Sequence, residues 1–380
     1  MKIGIYCGTP PKLGSGIQVY IKNLINGILG LTSRTNLSLI FTIARHPLKS
    51  SDYRMFATNI NKSRFPLPEK VLLKLWNNFK FPPLNILGHN FDIVHSLTSY
   101  LPPVKHMRTI VTVHDLIPIT HPKLSLFSGE KAKMIINSVK DADLIIADSI
   151  NTQKDVVKLL NIEESRVIVV YPGIDPIFEV KIDERSIKKT LGDYNIDFPY
   201  FLFTGLIDSR KNIRRLIIAF AEFIKKRKAE EKLVLVGART FRSKEELSII
   251  EDLGLRERVI YLGYVSRDDM PALYAGAKFF VFPTLYEGFG FPVLEAMACG
   301  VPVITSNTSS LPEICGDAAY YVSPNSVDSI IDAIDVVYHN EDLRLEMINK
   351  GFKRVQLFQW QHTASETMKC YSDLMGEKSL

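Results

Sequence analysis

The chain has four cysteines and two tryptophans among its 380 residues, and no apolar run approaching the ~18 residues that cross a bilayer. Cys7, Cys299, Cys315 and Cys370 show no CxxC spacing and no neighbouring histidine cluster. Neither a zinc site nor a disulfide framework is indicated, and a reducing compartment fits. The apolar stretch Ile3–Cys7 is too short for the core of a signal peptide, so the expectation is a cytoplasmic protein that does not span a membrane. The dinucleotide fingerprint GxGxxG is missing as well. Gly14 and Gly16 are followed at the third place by Val19, which argues against a nicotinamide-dependent enzyme.

Charge is present but uneven. Lys+Arg 47 against Asp+Glu 41 gives +6, too mild for a dedicated nucleic-acid binder, and no nucleic-acid partner is expected. The first fifty residues contain no acid, residues 1–180 are net +8, and residues 181–380 are net −2. Such an asymmetry suggests that the first half faces a phosphorylated ligand or an acidic membrane surface, unless it is simply an uneven solvated face. Hydrophobic residues at 46% and charged residues at 23% are ordinary for a globular protein. At about 150 residues per domain, the length predicts two domains with sizeable cores.

Short β-branched and aromatic runs alternate with helical patterns along nearly the whole chain, the signature of βαβ units and parallel sheets. The first half offers six strands, at Lys2–Cys7, Leu37–Ile43, Ile93–His95, Thr109–His114, Leu144–Asp148 and Val167–Val170. The second offers Tyr200–Gly205, Lys232–Gly237, Val259–Gly263, Lys278–Pro283, Pro302–Ser306 and Ala319–Val322. The fold class is therefore α/β, with two Rossmann-like doubly wound domains. Pro172 to Pro199 reads as their connection, and the divisions expected are 1–180, 181–358 and a terminal helix within 359–380. Ligands of open α/β sheets bind at the carboxyl ends of strands, so function is expected between the two domains.

Three segments carry chemistry. Gly14 and Gly16 precede a helix whose face shows Ile17, Tyr20, Ile21, Leu24 and Ile28, and backbone amides at such a helix start suit an anion. In FLFTGLIDSRKN a strand ends at Gly205 and Arg210 and Lys211 stand just before a helix, placed to hold a diphosphate. In PTLYEGFGFPVLEAMACGVPVITSNTSSLPE, Glu287 and Glu295 flank a glycine loop of Gly288, Phe289, Gly290 and Phe291, with Pro292 at a helix start. Paired carboxylates and loop amides suit sugar hydroxyls. Asp268 and Asp269 read as a helix-start cap rather than as a metal-binding DxD.

The last of these segments resembles the signature of the retaining, nucleotide-sugar-dependent glycosyltransferases of family 4, which have the GT-B fold. Glu287 and Glu295 meet its E-x7-E pattern. The likeness extends to TVHDLIPI at 112–119, ADLIIADS at 142–149, YPGIDPIF at 171–178, GLIDSRKN at 205–212 and LGYVSRDDMPALYAGA at 262–277. HDLIPI and the E-x7-E block most resemble the mannosyltransferase-like branch. The resemblance implies two domains facing a cleft, a C-terminal helix returning to the first, and transfer of a hexose, with mannose from GDP-mannose as the leading donor. The acceptor would be a glycan or a lipid-linked sugar.

By the same resemblance Glu295 contacts the donor ribose and Glu287 the transferred sugar, the amides of Gly288 to Phe291 hold hydroxyls, and Val265 lies near the base. Arg210 and Lys211 grip the diphosphate beside Gly205, Gly14 and Gly16 approach it from the other domain, and His114 stands by the anomeric centre. Relatives often carry Arg where this chain has Leu206, so the grip would rest on Arg210 and Lys211. No metal or other cofactor is expected, and retention would follow front-face attack. A uridine-nucleotide glucosyl or N-acetylhexosaminyl transferase is the alternative within the fold, and an epimerase or a nonenzymatic sensor the alternatives outside it. KSRFPLPEKVLLKLWNNFKFPPLN at 62–85 mixes basic and aromatic residues. It is expected either to lie on an anionic bilayer at the inner face of the cell membrane or to pack on its own sheet.

Overall fold

The computed structural model describes residues 1–9, 16–31, 36–43, 60–88, 90–126 and 129–376. The chain forms two compact units: Met1–Gly173 together with Phe358–Leu380, and Ile174–Leu357. Each is an all-parallel sheet among helices. The strands of the first unit are β1 Lys2–Gly8, β2 Asn36–Ile43, β3 Asn61–Pro68, β4 Ile93–Ser96, β5 Arg108–Val113, β6 Leu144–Ala147 and β7 Val167–Val169. Those of the second are β8 Tyr200–Thr204, β9 Lys232–Val236, β10 Val259–Gly263, β11 Phe279–Phe282, β12 Val303–Ser306 and β13 Ala319–Val322.

The sheet orders are β3-β2-β1-β4-β5-β6-β7 and β10-β9-β8-β11-β12-β13. Both reverse direction once, between β1 and β4 and between β8 and β11. At such a switch point the connections leave to opposite faces and open a crevice beyond the strand ends. The central strands read as continuous apolar runs because helices cover both faces of a parallel sheet. Phe201, Leu202, Phe203, Phe279, Phe280 and Phe282 are all fully buried.

β3 corrects the expectation of six strands in the first half. Its sequence, NKSRFPLP, carries two prolines, which cannot donate to a ladder and so argue against a strand. They are tolerated because β3 pairs with β2 alone, at the edge of the sheet. The strand runs into the helix Glu69–Phe79. Of the two alternatives left open for this stretch, Phe65, Leu72 and Trp76 follow the packed one: they are core residues with Tyr6, Ile40, Leu84, Phe91 and Val94. The Trp76 indole donates to the Pro82 carbonyl at 2.9 Å. Val71, Phe79, Phe81 and Ile86 remain exposed beside the exposed Lys70 and Lys74.

The C-terminal helix Trp360–Met375 packs on the helix Gly16–Leu31 of the first unit. Thr363 Oγ1 donates to the Tyr171 carbonyl at 2.7 Å, and Tyr371 hydroxyl meets His95 Nδ1 at 2.7 Å. Among the described residues no helix is long and apolar enough to cross a membrane. The four cysteines are free.

Candidate functional site

At the switch point of the second sheet, the exit of β8 is built to carry two cations. Gly205 leaves the strand at φ 144, a region that other residues rarely adopt, and a Cβ there would sit 3.3 Å from Lys211 Cε. Asp208 accepts from the Lys211 amide and caps the turn Ser209–Lys211. Asn212 follows at φ 59, and its amide donates to the carbonyls of Pro283 at 2.8 Å and Pro324 at 2.7 Å. That one side chain ties the end of β8 to the ends of β11 and β13. Leu206 stands 41% exposed and brings no charge to the turn.

These ties bring Arg210 and Lys211 to Glu287. Lys211 Nζ donates to Glu287 Oε1 at 2.6 Å, Arg210 Nη1 lies 2.9 Å from the same oxygen, and Thr284 Oγ1 donates to it at 2.8 Å. Arg210 Nη1 also donates to the Tyr286 carbonyl at 2.8 Å, and Lys211 Nζ lies 4.7 Å from the centre of the Phe282 ring. Burial alone would raise the Glu287 carboxyl, but the charges of Arg210 and Lys211 with the hydrogen bonds of Lys211 and Thr284 outweigh it, lowering it to about 2. Burial pushes the Lys211 ammonium down, against the opposing pull of Glu287. Arg210 and Lys211 are thus held around one shared carboxylate oxygen, in place before any ligand arrives. Such a site attracts an anion.

The glycine loop is pinned from the β12 side. Ser309 Oγ accepts from the Glu287 amide at 3.0 Å, and Ser310 Oγ donates to the carbonyls of Glu287 at 3.1 Å and Phe289 at 2.6 Å. Gly290, at φ 115, turns the chain into the helix Phe291–Ala298, which has Pro292 in its first turn. Phe289 is buried with its ring edge-on to Phe291 at 5.0 Å. Gly288 lies between this ring pair and Glu287, and Val265 is buried just past β10.

Glu295 sits on the helix and engages a separate set. Tyr274 hydroxyl donates to its Oε2 at 2.9 Å and Arg267 Nη2 to its Oε1 at 3.2 Å. Tyr274 also meets Thr204 Oγ1 at 2.7 Å, while Arg267 Nε donates to Asp175 at 2.7 Å and its guanidinium lies 5.0 Å from the Phe178 ring. Burial raises the Glu295 carboxyl, with Arg267 and Tyr274 pulling the other way. Asp269 stands at the N-cap position of the helix Met270–Ala275, as expected, but its side chain makes no cap hydrogen bond and instead accepts from Tyr194 hydroxyl at 2.7 Å. Among the described residues no group of three or more His, Cys, Asp or Glu side chains is placed to hold a metal.

In the first unit Gly16 is the first residue of its helix, and Gly14 lies outside the described residues. His114 follows β5, with Nδ1 2.6 Å from Asp148 Oδ2 and Nε2 3.0 Å from the Leu97 carbonyl. Sequence reasoning passed over Asp148, Asn212, Thr284, Tyr274, Arg267 and the Ser309–Ser310 pair. ADLIIADS held Asp148 in view and GLIDSRKN held Asn212. The partners of both lie in distant segments, so spacing carried no signal for either.

Residues 187–354 match the family described as "Glycosyl transferases group 1", and residues 14–178 match "Glycosyltransferase Family 4". The chain is 33% identical over 285 residues to the O-antigen chain mannosyltransferase B of Escherichia coli, covering 73% of this chain and 74% of that protein. It is 32% identical to an uncharacterized glycosyltransferase of Methanocaldococcus jannaschii, with 97% of each chain covered. Among solved structures, the sucrose-phosphate synthase of Thermosynechococcus elongatus superposes with a TM-score of 0.79 at 19% identity, with 99% of each chain covered. That last likeness is one of fold.

Proposed function

The chain belongs to the family 4 glycosyltransferases, with the GT-B fold, and on that premise we propose that it transfers mannose from GDP-mannose to a glycan or lipid-linked glycan with retention at the anomeric carbon. The observation that carries the reading is the cluster of Arg210, Lys211 and Glu287 at the switch point of β8 and β11. Breaking the bond between a sugar and a nucleoside diphosphate leaves negative charge on the departing phosphate. Cations held in place beforehand lower that barrier most, because nothing has to reorganise when the charge appears. Glu287 serves this by fixing both cations through one oxygen, and Thr284 fixes Glu287 in turn. In this reading the departing phosphate takes the acceptor proton, the acceptor enters on the same face, and no metal takes part.

Mannose as the sugar draws on the O-antigen chain mannosyltransferase among the relatives. Glu295, Tyr274, Arg267 and Asp175 would receive the ribose, with Val265 beside the base and the amides of Gly288 to Phe291 on the sugar. Val71, Phe79, Phe81 and Ile86, with Lys70 and Lys74, would rest on an anionic membrane that presents the acceptor. A thermal-shift screen over nucleoside diphosphate sugars, followed by transfer assays with and without chelator, tests the whole reading, since a ligand that binds only the folded chain raises its melting temperature. Stabilisation by a uridine form and not by GDP-mannose would overturn the donor, and loss of transfer on chelation would overturn the metal-free mechanism.

A further inference from the structure

A histidine and a carboxylate of the first unit form a closed pair to which the transfer chemistry above assigns no role. Strands β5 and β6 pair in parallel with Val113 opposite Ala147, so His114 and Asp148 are the next residues on each, just beyond the carboxyl edge of the sheet. His114 Nδ1 faces Asp148 Oδ2 at 2.6 Å, and its Nε2 faces the carbonyl oxygen of Leu97, the first residue past β4, at 3.0 Å. The ring therefore spans from one neighbouring strand to the other. A backbone carbonyl can only accept a hydrogen bond, and so can an ionised carboxylate. With both partners accepting, each ring nitrogen must carry a proton, and the ring is an imidazolium.

We propose that Asp148 is a positioning residue that holds His114 as a fixed cation with both N–H bonds committed, so that His114 works through its charge and not as a general base. Only the place where His114 acts rests on the glycosyl-transfer reading. Its protonation state rests on the hydrogen bonds alone. The surroundings agree. Asp148 is 2% exposed and its second oxygen, Oδ1, is buried without a hydrogen bond, so the opposite charge of His114 is what offsets the burial of this carboxylate. The Tyr20 ring stands edge-on to His114 at 4.9 Å, and Asp115, the next residue in the chain, adds a second negative charge. His95, which feels the charge of His114, is buried between Tyr371 hydroxyl and Thr112 Oγ1. Burial first, and then the charge of His114, lowers it to about 3, so it stays neutral.

Burial would also lower His114, but the charge of Asp148, the hydrogen bonds to Asp148 and Leu97, and the charge of Asp115 outweigh it, raising the ring to about 9 against ~6.5 for a free imidazole. The cation is thus complete below the ordinary histidine range and lost only as pH rises through about 9.

The test uses the full chain labelled with nitrogen-15 histidine and follows the two His114 nitrogens by NMR through the range near pH ~6.5 where free imidazole titrates. Both nitrogens protonated, with no change across that range, is the expected result. A ring that titrates there, or that carries a single proton at neutral pH because the proton resides on Asp148, would overturn the proposal without any variant being made. Asp148→Asn should let His114 titrate in or below the ordinary range. It should also slow transfer roughly tenfold at about pH 8, with recovery as the pH falls, and Asp148→Glu should restore the wild-type profile. A variant whose ring titration has moved while its transfer profile stays that of the wild type would show that the charge is not used. If no sugar donor supports transfer at all, the NMR result still decides the state of the ring, so failure of the functional reading and failure of the pair are told apart.

Discussion

Replacing Glu287 with Gln removes a negative charge and keeps the shape. The structure fixes what remains: a half-buried Arg210 and a buried Lys211, facing an amide that can still accept from Thr284 but can no longer balance two cations. The carboxyl falls from 4.5 to about 2 in the folded chain, and at ~1.4 kcal/mol per unit that corresponds to about 3 kcal/mol of stability. Because the folded value is depressed, this stability is present above pH ~4.5 and is lost as pH falls through about 2. Breaking a buried ion pair by removing one partner costs ~3–5 kcal/mol, a comparable figure. For a unit the size of Ile174–Leu357, ~3 kcal/mol lowers the melting temperature by about 6–12 °C near neutral pH. The assay is scanning calorimetry of the full chain, wild type against Glu287→Gln, in rising inorganic pyrophosphate. The variant should melt lower and should recover more with pyrophosphate than the wild type does, since its two cations have lost the carboxylate they share. A melting temperature within about a degree of wild type, or equal protection by pyrophosphate, would refute the claim that Glu287 exists to hold the two cations.

Lys211→Ala should lower kcat by about a hundredfold in a transfer assay, as loss of one preorganised donor does elsewhere, and a near-wild-type rate would remove Lys211 from the phosphate site. Gly290→Ala forces a side chain into φ 115 with its Cβ 2.9 Å from Leu311 Cδ2, and chemical denaturation should show a loss of about 1–3 kcal/mol. Tyr274→Phe deletes the hydroxyl that joins Thr204 to Glu295, and should cost about 1–2 kcal/mol by the same measurement together with a raised KM for the donor. Binding to vesicles of acidic lipid should weaken with salt and in the double variant Phe79→Ser, Phe81→Ser. Vesicle binding that is unchanged in that variant would assign the contact elsewhere.

Much of the fold was legible because parallel α/β sheets announce themselves. Buried strands are short apolar runs, and the helices between them repeat at another period, so twelve strands could be placed from local pattern alone. β3 was not legible. Its prolines obey a rule for strands with two neighbours, and only the assembled sheet shows that it has one. The same distinction separates Phe65, Leu72 and Trp76 from Phe79 and Phe81. All five stand in one amphipathic stretch, and the first three are core only because Tyr6, Ile40 and Phe91 arrive from elsewhere to cover them.

What the sequence by itself determined, then, are the features that live within a few residues: the alternation of strand and helix, the E-x7-E spacing, the glycines where the chain must turn sharply, and the basic pair ahead of a helix. What only the tertiary structure decided is who faces whom. Glu287 and Lys211 are 76 positions apart, His114 and Asp148 are 34, and His95 and Tyr371 are 276. The charge states of Glu287 and His114 are set by those encounters, because opposing charges and hydrogen bonds brought from distant segments outweigh the burial of each group.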